Sequence, residues 1–259
     1  MLSKKILSVD RVFKPHFVWF EDNWVHDNVL HKHSKAQLIY VESGFQYLTV
    51  NAKVYLLPQK HAAWIPPNAL HKTNSHAEKT KLMVMFFDVN KEDLFYHEVS
   101  VFSVSAVLKE MIKYAEKWSK NTAEDLNENI FLSALYNELP NFVADAIQLH
   151  ISLPEDKRLT NAIKHLNNNY TKAIRVEELS EITSLSLRSI ERIFKKETGL
   201  TLSKYQQMLR IIKSLELLST KRWTVSEIAY KVGYKSLQAY TNSFRSVMQY
   251  RPTDFLKSI

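Results

Sequence analysis

The chain has no cysteine, only three glycines, and no run of 18 apolar residues anywhere in its 259. Without cysteine there are no disulfides, no thiolate metal ligands and no cysteine nucleophile. Without a long apolar run there is no helix that spans a bilayer. The opening "MLSKKILSVDRVFK" has lysines but no signal-length apolar stretch after them, so a cytoplasmic protein is expected, with no membrane partner. So sparing a use of glycine makes each one informative. Gly233 stands in "EIAYKVGYKS", residues 227–236, which otherwise reads as helix, where glycine costs about 1 kcal/mol relative to alanine. With 45% apolar and 24% charged residues the composition is globular and allows one large domain or two ordinary ones.

Charge divides the chain. From Glu155 onward there are 19 basic and 10 acidic residues, a net of +9, whereas the preceding part has 16 against 17. Histidine divides the other way, since of ten only His165 lies beyond residue 150. A basic segment beside a neutral, histidine-rich one implies two domains with different partners, the basic one suited to a polyanion.

Residues 36–87 hold short β-rich runs, "AQLIYV", "FQYLTV", "KVYLL", "AAWIP" and "KLMVMFFDV", punctuated by Ser43-Gly44, Asn51, Pro58 and Pro66-Pro67-Asn68. Such spacing predicts an antiparallel barrel or sandwich. After about residue 98 the period becomes helical. "VSAVLKEMIKYAEKW" places Val104, Val107, Leu108, Met111, Ile112 and Ala115 on one stripe, and a second helical stretch follows with Pro140 as a kink or break. These amphipathic helices fit either packing within the domain or a dimer interface. "HISLPEDKR", from His150, reads as a linker. The rest is nearly all helix, with start signals at Thr183/Ser184, at Thr201 or Ser203, at Thr224 with Glu227 as a capping box, and at Ser236; Gly199 closes a helix. The expected organisation is a domain over 1–97, a helical dimerisation segment and linker over 98–152, and a second domain over 153–259.

Within that last domain a pattern occurs twice. "LSEITSLSLRSIERIFKK" from Leu179 and "IAYKVGYKSLQAYTNSFRS" from Ile228 each open on an apolar residue. A small residue follows (Ser180, Ala229), then a turn residue (Ser184, Gly233), a large apolar residue (Leu185, Tyr234) and a closing phenylalanine (Phe194, Phe244). This is the plan of a helix-turn-helix, and Gly233 is explained as the turn residue at positive φ. At 100° per residue the first copy's second helix sets Leu187, Ile190, Ile193 and Phe194 against Arg188, Glu191, Arg192, Lys195 and Lys196. In the other copy Leu237, Tyr240, Phe244 and Val247 oppose Gln238, Thr241, Asn242 and Arg245. Arginine, glutamine and asparagine are the side chains that pair bidentately with base edges.

"RIFKKETGLTLSKYQQMLRI" and "IAYKVGYKS" with Phe244 and Pro252 beyond it follow in order and spacing the pattern of AraC/XylS transcription regulators, which residues 157–257 resemble. The resemblance implies an all-α, homeodomain-like double helix-turn-helix joined by a long helix at about Ser203 to Leu218, reading two successive major grooves. It implies DNA contacts from Arg188, Ser189, Glu191, Arg192 and Lys195 in the first unit, and from Leu237, Gln238, Thr241, Asn242 and Arg245 in the second. Gln249 departs from the family's usual glycine, Tyr234 and Tyr240 from phenylalanine, and Asn242 from arginine, so the second unit is expected to contribute less affinity. The resemblance further implies an activator working as a homodimer through helices in 98–150, with promoter DNA, a small-molecule effector and RNA polymerase as partners.

In the first domain, His31, His33, Gln37 and Gly44 stand at offsets 0, 2, 6 and 13, and "WIPPNALHKTN" adds Pro66, Asn68 and His71. These spacings resemble the two motifs of cupin barrels, with Gln37 in place of glutamate and Asn68 in place of glycine; the AraC/XylS sensor domain is itself cupin-like. The fold class is therefore a cupin-like β-barrel with flanking helices followed by the all-α domain. Histidines at i and i+2 on a strand face one side, so His31, His33 and His71 can converge on a zinc, nickel or iron ion. The regulator resemblance favours an organic ligand with no metal and no cofactor, held by His31, His33, Gln37, Tyr40, Trp64 and His71, with Trp24 a further aromatic wall. The rival readings are a metal-dependent cupin isomerase or oxygenase with a helical appendage, and a non-specific nucleic-acid-binding protein.

Overall fold

In a computed structural model the described residues are 9–21, 29–51, 53–75, 80–90, 92, 94–143, 150–152, 154 and 156–258. The strands are β1 (His16–Glu21), β2 (Ala36–Ser43), β3 (Phe45–Val50), β4 (Lys53–Pro58), β5 (His61–Ile65), β6 (His71–Asn74), β7 (Lys81–Phe87), β8 (Ser100–Ser103) and β9 (His150–Ser152). The helices are α1 (Leu94–His97), α2 (Ala106–Tyr114), α3 (Leu126–Phe142), α4 (Thr160–Asn168), α5 (Val176–Thr183), α6 (Leu187–Thr198), α7 (Leu202–Ser219), α8 (Val225–Lys231), α9 (Leu237–Met248) and α10 (Pro252–Ser258). The chain divides into one unit of Met1–Asn51 with Gln59–Gln148, and another of Ala52–Pro58 with Leu149–Ile259. The division after Gln148 falls inside the 98–152 segment. Among the described residues no helix is long and apolar enough to cross a membrane.

The first unit is built on a five-stranded antiparallel sheet in the order β1-β7-β2-β5-β8. Because side chains alternate along each strand, the register decides what meets. Leu38 lies opposite Trp64 and Met85, while Gln37 lies opposite Ile65 and Phe86. The face that carries Leu38, Tyr40, Trp64, Met83, Met85 and Phe87 packs against α2 and α3 through Leu108, Ile112, Leu132, Leu135, Tyr136 and Leu139. β3 pairs separately with β6. A closed barrel, as the sequence suggested, does not form among the described residues. The row ends at β1 and β8, and helices rather than returning strands cover one face.

Ser105 and Asp125 accept the orphan amides of Leu108 and Glu128 and so start α2 and α3. The α2 stripe differs from the periodic expectation, since Val104 precedes the helix and Val107 is 63% exposed. Beyond Tyr114 the chain tightens into a 3-10 turn over Ala115–Trp118, which re-phases the buried side. α3 continues through Pro140 and ends at Phe142, so the proline marks the last turn and not a break. Lys14 forms an ion pair with Glu128 of α3, both buried, and also donates to the Asn121 carbonyl at 3.1 Å. That pair ties the stretch before β1 to the helices, because removing one partner would strand a buried charge.

In the second unit β4 pairs antiparallel with β9, which occupies the start of the expected linker. Helices follow. α5 ends at Ser184 (φ 55°), α6 at Gly199 (φ 73°) and α9 at Gln249 (φ 63°), all left-handed caps, and the turn after α8 holds Gly233 at φ 89°. α6 is capped by Ser186, two residues beyond the expected signal, because Thr183 is still helical and Ser184 has turned left-handed. Thr201 caps α7, the Thr224/Glu227 capping box is formed, and Ser236 caps α9. α7 buries Tyr205, Met208, Leu209, Ile211, Ile212 and Leu215 around its circumference, as a helix surrounded by others must. It touches α6, α8, α9 and α10.

A Cβ on Gly233 would lie 2.3 Å from the Thr171 carbonyl oxygen and 2.6 Å from the Thr171 Cα, both backbone atoms, whereas one on Gly199 would meet nothing within 4 Å. Gly199→Ala should therefore cost about 1 kcal/mol of left-handed strain. Gly233→Ala should cost roughly 2–4 kcal/mol, because overpacking against backbone adds to the same strain. Urea unfolding of the two variants measures the difference; equal losses would show that the Thr171 approach is not limiting.

Candidate functional site

Each half of the basic unit builds its helix pair from the same parts. In the first, Leu179 of α5 is buried with Ile190, Ile193 and Phe194 of α6, and the Ser180 hydroxyl donates to the Leu185 carbonyl across the turn. In the second, Ile228 and Ala229 of α8 are buried with Tyr240, Phe244 and Met248 of α9, and the Tyr234 amide donates to the Ala229 carbonyl at 2.9 Å. With these faces inward, α6 turns Arg188, Glu191, Arg192 and Lys195 to solvent, with Ser189 half-buried. α9 exposes Leu237, Gln238, Asn242 and Arg245, with Thr241 half-buried. Among the described residues nothing forms an ion pair with Arg188, Arg192, Lys195 or Arg245. Their charges are not neutralised within the fold, which leaves them available to an anionic partner.

Three members of the expected set are already engaged. The Ser189 hydroxyl accepts from Ser186 Oγ at 2.9 Å as part of the α6 cap. Gln238 Nε2 donates to Asn242 Oδ1 at 3.0 Å along the open face of α9.

Between the two pairs, α7 supplies a grip that periodicity does not reveal. Arg210 Nε donates to the Tyr170 carbonyl at 2.7 Å and its Nη2 to Thr171 and Lys172 carbonyls at 3.1 and 3.0 Å. Gln206, one turn earlier, donates to the carbonyls of Tyr170 and Lys172 at 3.0 and 2.5 Å. The turn after α4 is thereby held by charge-assisted bonds, and its Thr171 carbonyl rests against Gly233. The sequence does place Gln206 and Arg210 four apart on one helix face, the signal that could have singled them out.

The expected ligand set splits across the five-stranded sheet. Tyr40 and Trp64 lie in the apolar core on the α2/α3 face, where Trp64 packs on Phe87, Phe95 and Tyr96 and its Nε1 donates to the Tyr96 carbonyl at 3.2 Å. Gln37 alternates to the opposite face, beside His33, whose ring sits edge-on to Phe86 at 5.4 Å. Trp24 lies outside the described residues.

His31, His33 and His71 do come together. His31 and His71 form an isolated antiparallel bridge, each amide donating to the other's carbonyl at 2.9 Å, and the Asn68 amide donates to the His33 carbonyl at 2.9 Å. The ring centroids are 4.3 Å (His31–His71), 5.1 Å (His33–His71) and 6.1 Å (His31–His33) apart. One nitrogen from each ring lies within 4.8 Å of the others. Burial depresses the pKa of His33 and lowers that of His71 to about 4, because a charged imidazole loses its hydration there. The same cause brings His61 of β5 to about 4.

Comparison with known proteins adds the following. Residues 16–88 match a family model described as an AraC-like ligand binding domain, and residues 179–258 match one described as a helix-turn-helix domain. Together they account for more than half of the chain. The HTH-type transcriptional regulator NimR of Escherichia coli (strain K12) is 24% identical over 228 residues, covering 88% of this chain and 81% of NimR. The HTH-type transcriptional activator RhaS of Citrobacter koseri is 32% identical over 99 residues, which are 38% of this chain and 36% of RhaS. Among solved structures, ToxT of Vibrio cholerae aligns over 94% of this chain and 98% of its own, at 13% identity and a TM-score of 0.39, too slight a likeness to extend further.

His61 is 4% exposed, and its folded pKa of about 4 lies below the value near 6.5 of an unfolded histidine. The unfolded chain then binds the extra proton first. The stability this group contributes is complete above pH 6.5 and lost as pH falls from there toward 4, by up to about 3 kcal/mol. Denaturant unfolding of the wild type across that window should show the decline, and His61→Gln should reduce its slope, His71 and His33 supplying the remainder; an unchanged slope in the variant would assign the loss to other groups.

Proposed function

Because the chain belongs to the AraC family of transcription regulators, we propose that it recognises promoter DNA with α6 and α9 together and activates transcription under control of a small organic effector. The observation that carries this reading is the pair of like-built helix-turn-helix units, each turning an amide-bearing or cationic face outward, with Arg188, Arg192, Lys195 and Arg245 in no ion pair among the described residues. Arg188, Ser189, Glu191 and Arg192 are the base-reading candidates of the first unit, with Lys195 toward phosphate. Leu237, Gln238, Thr241, Asn242 and Arg245 form the second set. The curated relatives are named as transcription regulators, which leaves the isomerase or oxygenase reading without support.

The effector is assigned to the part matching the ligand-binding domain, residues 16–88, where His31, His33, Gln37 and His71 form one polar cluster. Its control requires that it bind more tightly to one arrangement of the protein than to another. RNA polymerase is the partner that activation demands. For self-association we favour the solvent side of α2 and α3, where Val107 is 63%, Tyr114 55% and Ile130 60% exposed beside Met111 and Phe131. Apolar side chains so grouped mark an interaction surface. A paired protomer would present four reading helices to one promoter.

Genomic footprinting should find defined sites within promoters, bound on the order of 10³-fold or more tightly than unrelated duplex at physiological salt. Equal affinity for unrelated duplexes would support the non-specific reading instead. At such a site Arg188→Ala should cost about 1–3 kcal/mol and relax base preference, whereas Lys195→Ala should weaken all sequences alike and reduce the salt slope by about 1. Alanine at Gln238 and Asn242 should weaken binding less than alanine at Arg188 and Arg192. Sedimentation of Val107→Glu with Ile130→Glu should give a monomer where the wild type is a dimer; an unaltered dimer would place the interface elsewhere.

A further inference from the structure

Along the first half of α7, Ser203, Lys204, Gln207 and Arg210 line a cavity of about 410 Å³, together with Thr201 just before the helix and Ser243 of α9. No acidic side chain is among its walls. The Lys204 ammonium can donate three hydrogen bonds and makes one among the described residues, to the neutral Gln207 Oε1 at 2.9 Å. Arg210 gives Nε and Nη2 to the carbonyls that it grips, which are neutral as well, and its Nη1 has no acceptor among the described residues. Burial lowers the pKa of that guanidinium, and no carboxylate offsets the loss of hydration. The Ser203 hydroxyl makes no hydrogen bond among the described residues. Two positive charges thus share one concavity in which nothing of opposite sign faces them, and the fields of like charges add in a cleft and draw in a counter-ion.

We propose that this cavity binds a phosphate group. Lysine meets phosphate as a point charge, an arginine N–H as a charge-assisted donor and a serine hydroxyl as a neutral one. The place of the cavity favours phosphate over other oxyanions. On α9, Asn242 and Arg245 turn to solvent, while Ser243 and Ser246, each one residue or about 100° further round, face α7 and accept from Gln207 Nε2 at 3.0 and 3.3 Å. The cavity therefore lies beside the proposed reading face and not under it. A helix in a major groove has backbone phosphates along its flanks, and contacts to them set its register without carrying sequence. That the phosphate belongs to a duplex rests on the promoter reading of α9; a free phosphate would meet the same donors.

The test uses the full chain and two probes. Anisotropy of a labelled duplex of random sequence, across a range of salt, gives the slope of log K against log[salt]. Nuclear magnetic resonance of the Ser203 and Lys204 amides during titration with inorganic phosphate, against chloride at equal ionic strength, reads the free anion. Lys204→Gln should make the slope shallower by about 0.9. Ser203→Glu should weaken duplex binding further, although an acid in the first turn of α7 favours the helix, so that lost binding is not lost folding. Lys257→Gln, at an exposed lysine of α10, should leave the slope unchanged. These results place a duplex phosphodiester in the cavity. Unchanged slopes with a saturable shift on inorganic phosphate that Lys204→Gln abolishes place a free phosphate there instead. Without such a shift, unchanged slopes overturn the proposal, and so does a loss from Lys257→Gln equal to that from Lys204→Gln. Should the wild type bind no duplex, the promoter reading fails, and the phosphate titration alone decides the site.

Discussion

The turn that follows α4 approaches the turn that follows α8 so closely that no side chain fits between them, and much of the DNA-binding half depends on that approach. Thr171 offers its carbonyl to Arg210 while its backbone lies against the bare Cα of Gly233. An arginine that binds three successive carbonyls in a fork is hard to displace, since loosening it would leave a partly buried guanidinium and several acceptors unpaired. Through this grip the first helix of the unit braces the second helix-turn-helix, although α5, α6 and α7 intervene in the chain. The first half of α7 shares in the constraint, with Tyr205 against Phe194 and Gln207 donating to Ser243 of α9 at 3.0 Å.

The parts legible in the sequence were those set by local rules. Gly199, the Thr224/Glu227 box and the doubled apolar pattern depend on backbone geometry within a few residues, so the sequence reports them directly, whereas of Gly233 it shows the turn but not the Thr171 backbone that lies against it. β3 was readable because "FQYLTV" alternates between turn signals. The strands β1, β6, β8 and β9 were not assigned. "HFVWFE" is apolar without alternation, and the other three have only three or four residues and take their conformation from the neighbours they pair with. Composition groups Tyr40 and Trp64 with the histidines, because aromatic residues near polar ones suggest a pocket. The one-residue offset between Gln37 and Leu38 sends them to the other side of the sheet, a fact that register supplies and composition does not.

Similar limits explain the other differences. Thr183 and Ser186 are equally good capping types, and the chain selects Ser186 because Ser184 takes the left-handed turn first. The barrel did not follow from counting strands, since closure depends on what covers the faces, and here α2 and α3 do. The histidine spacing was visible, but the direction of each ring was not. That direction is set by carbonyls at Val29, Lys35 and Ala69, which no side-chain pattern encodes.

The amide pair on α9 has a consequence for discrimination. Gln238 donates one hydrogen bond to Asn242 in the free protein, so a surface that engages both amides through those atoms must exchange that bond for its own. A poorly matched neighbour offers no net gain over the resting state and is refused at no structural expense. If α9 reads a duplex as proposed, selectivity there includes a threshold set by this internal competitor as well as a reward for each contact made.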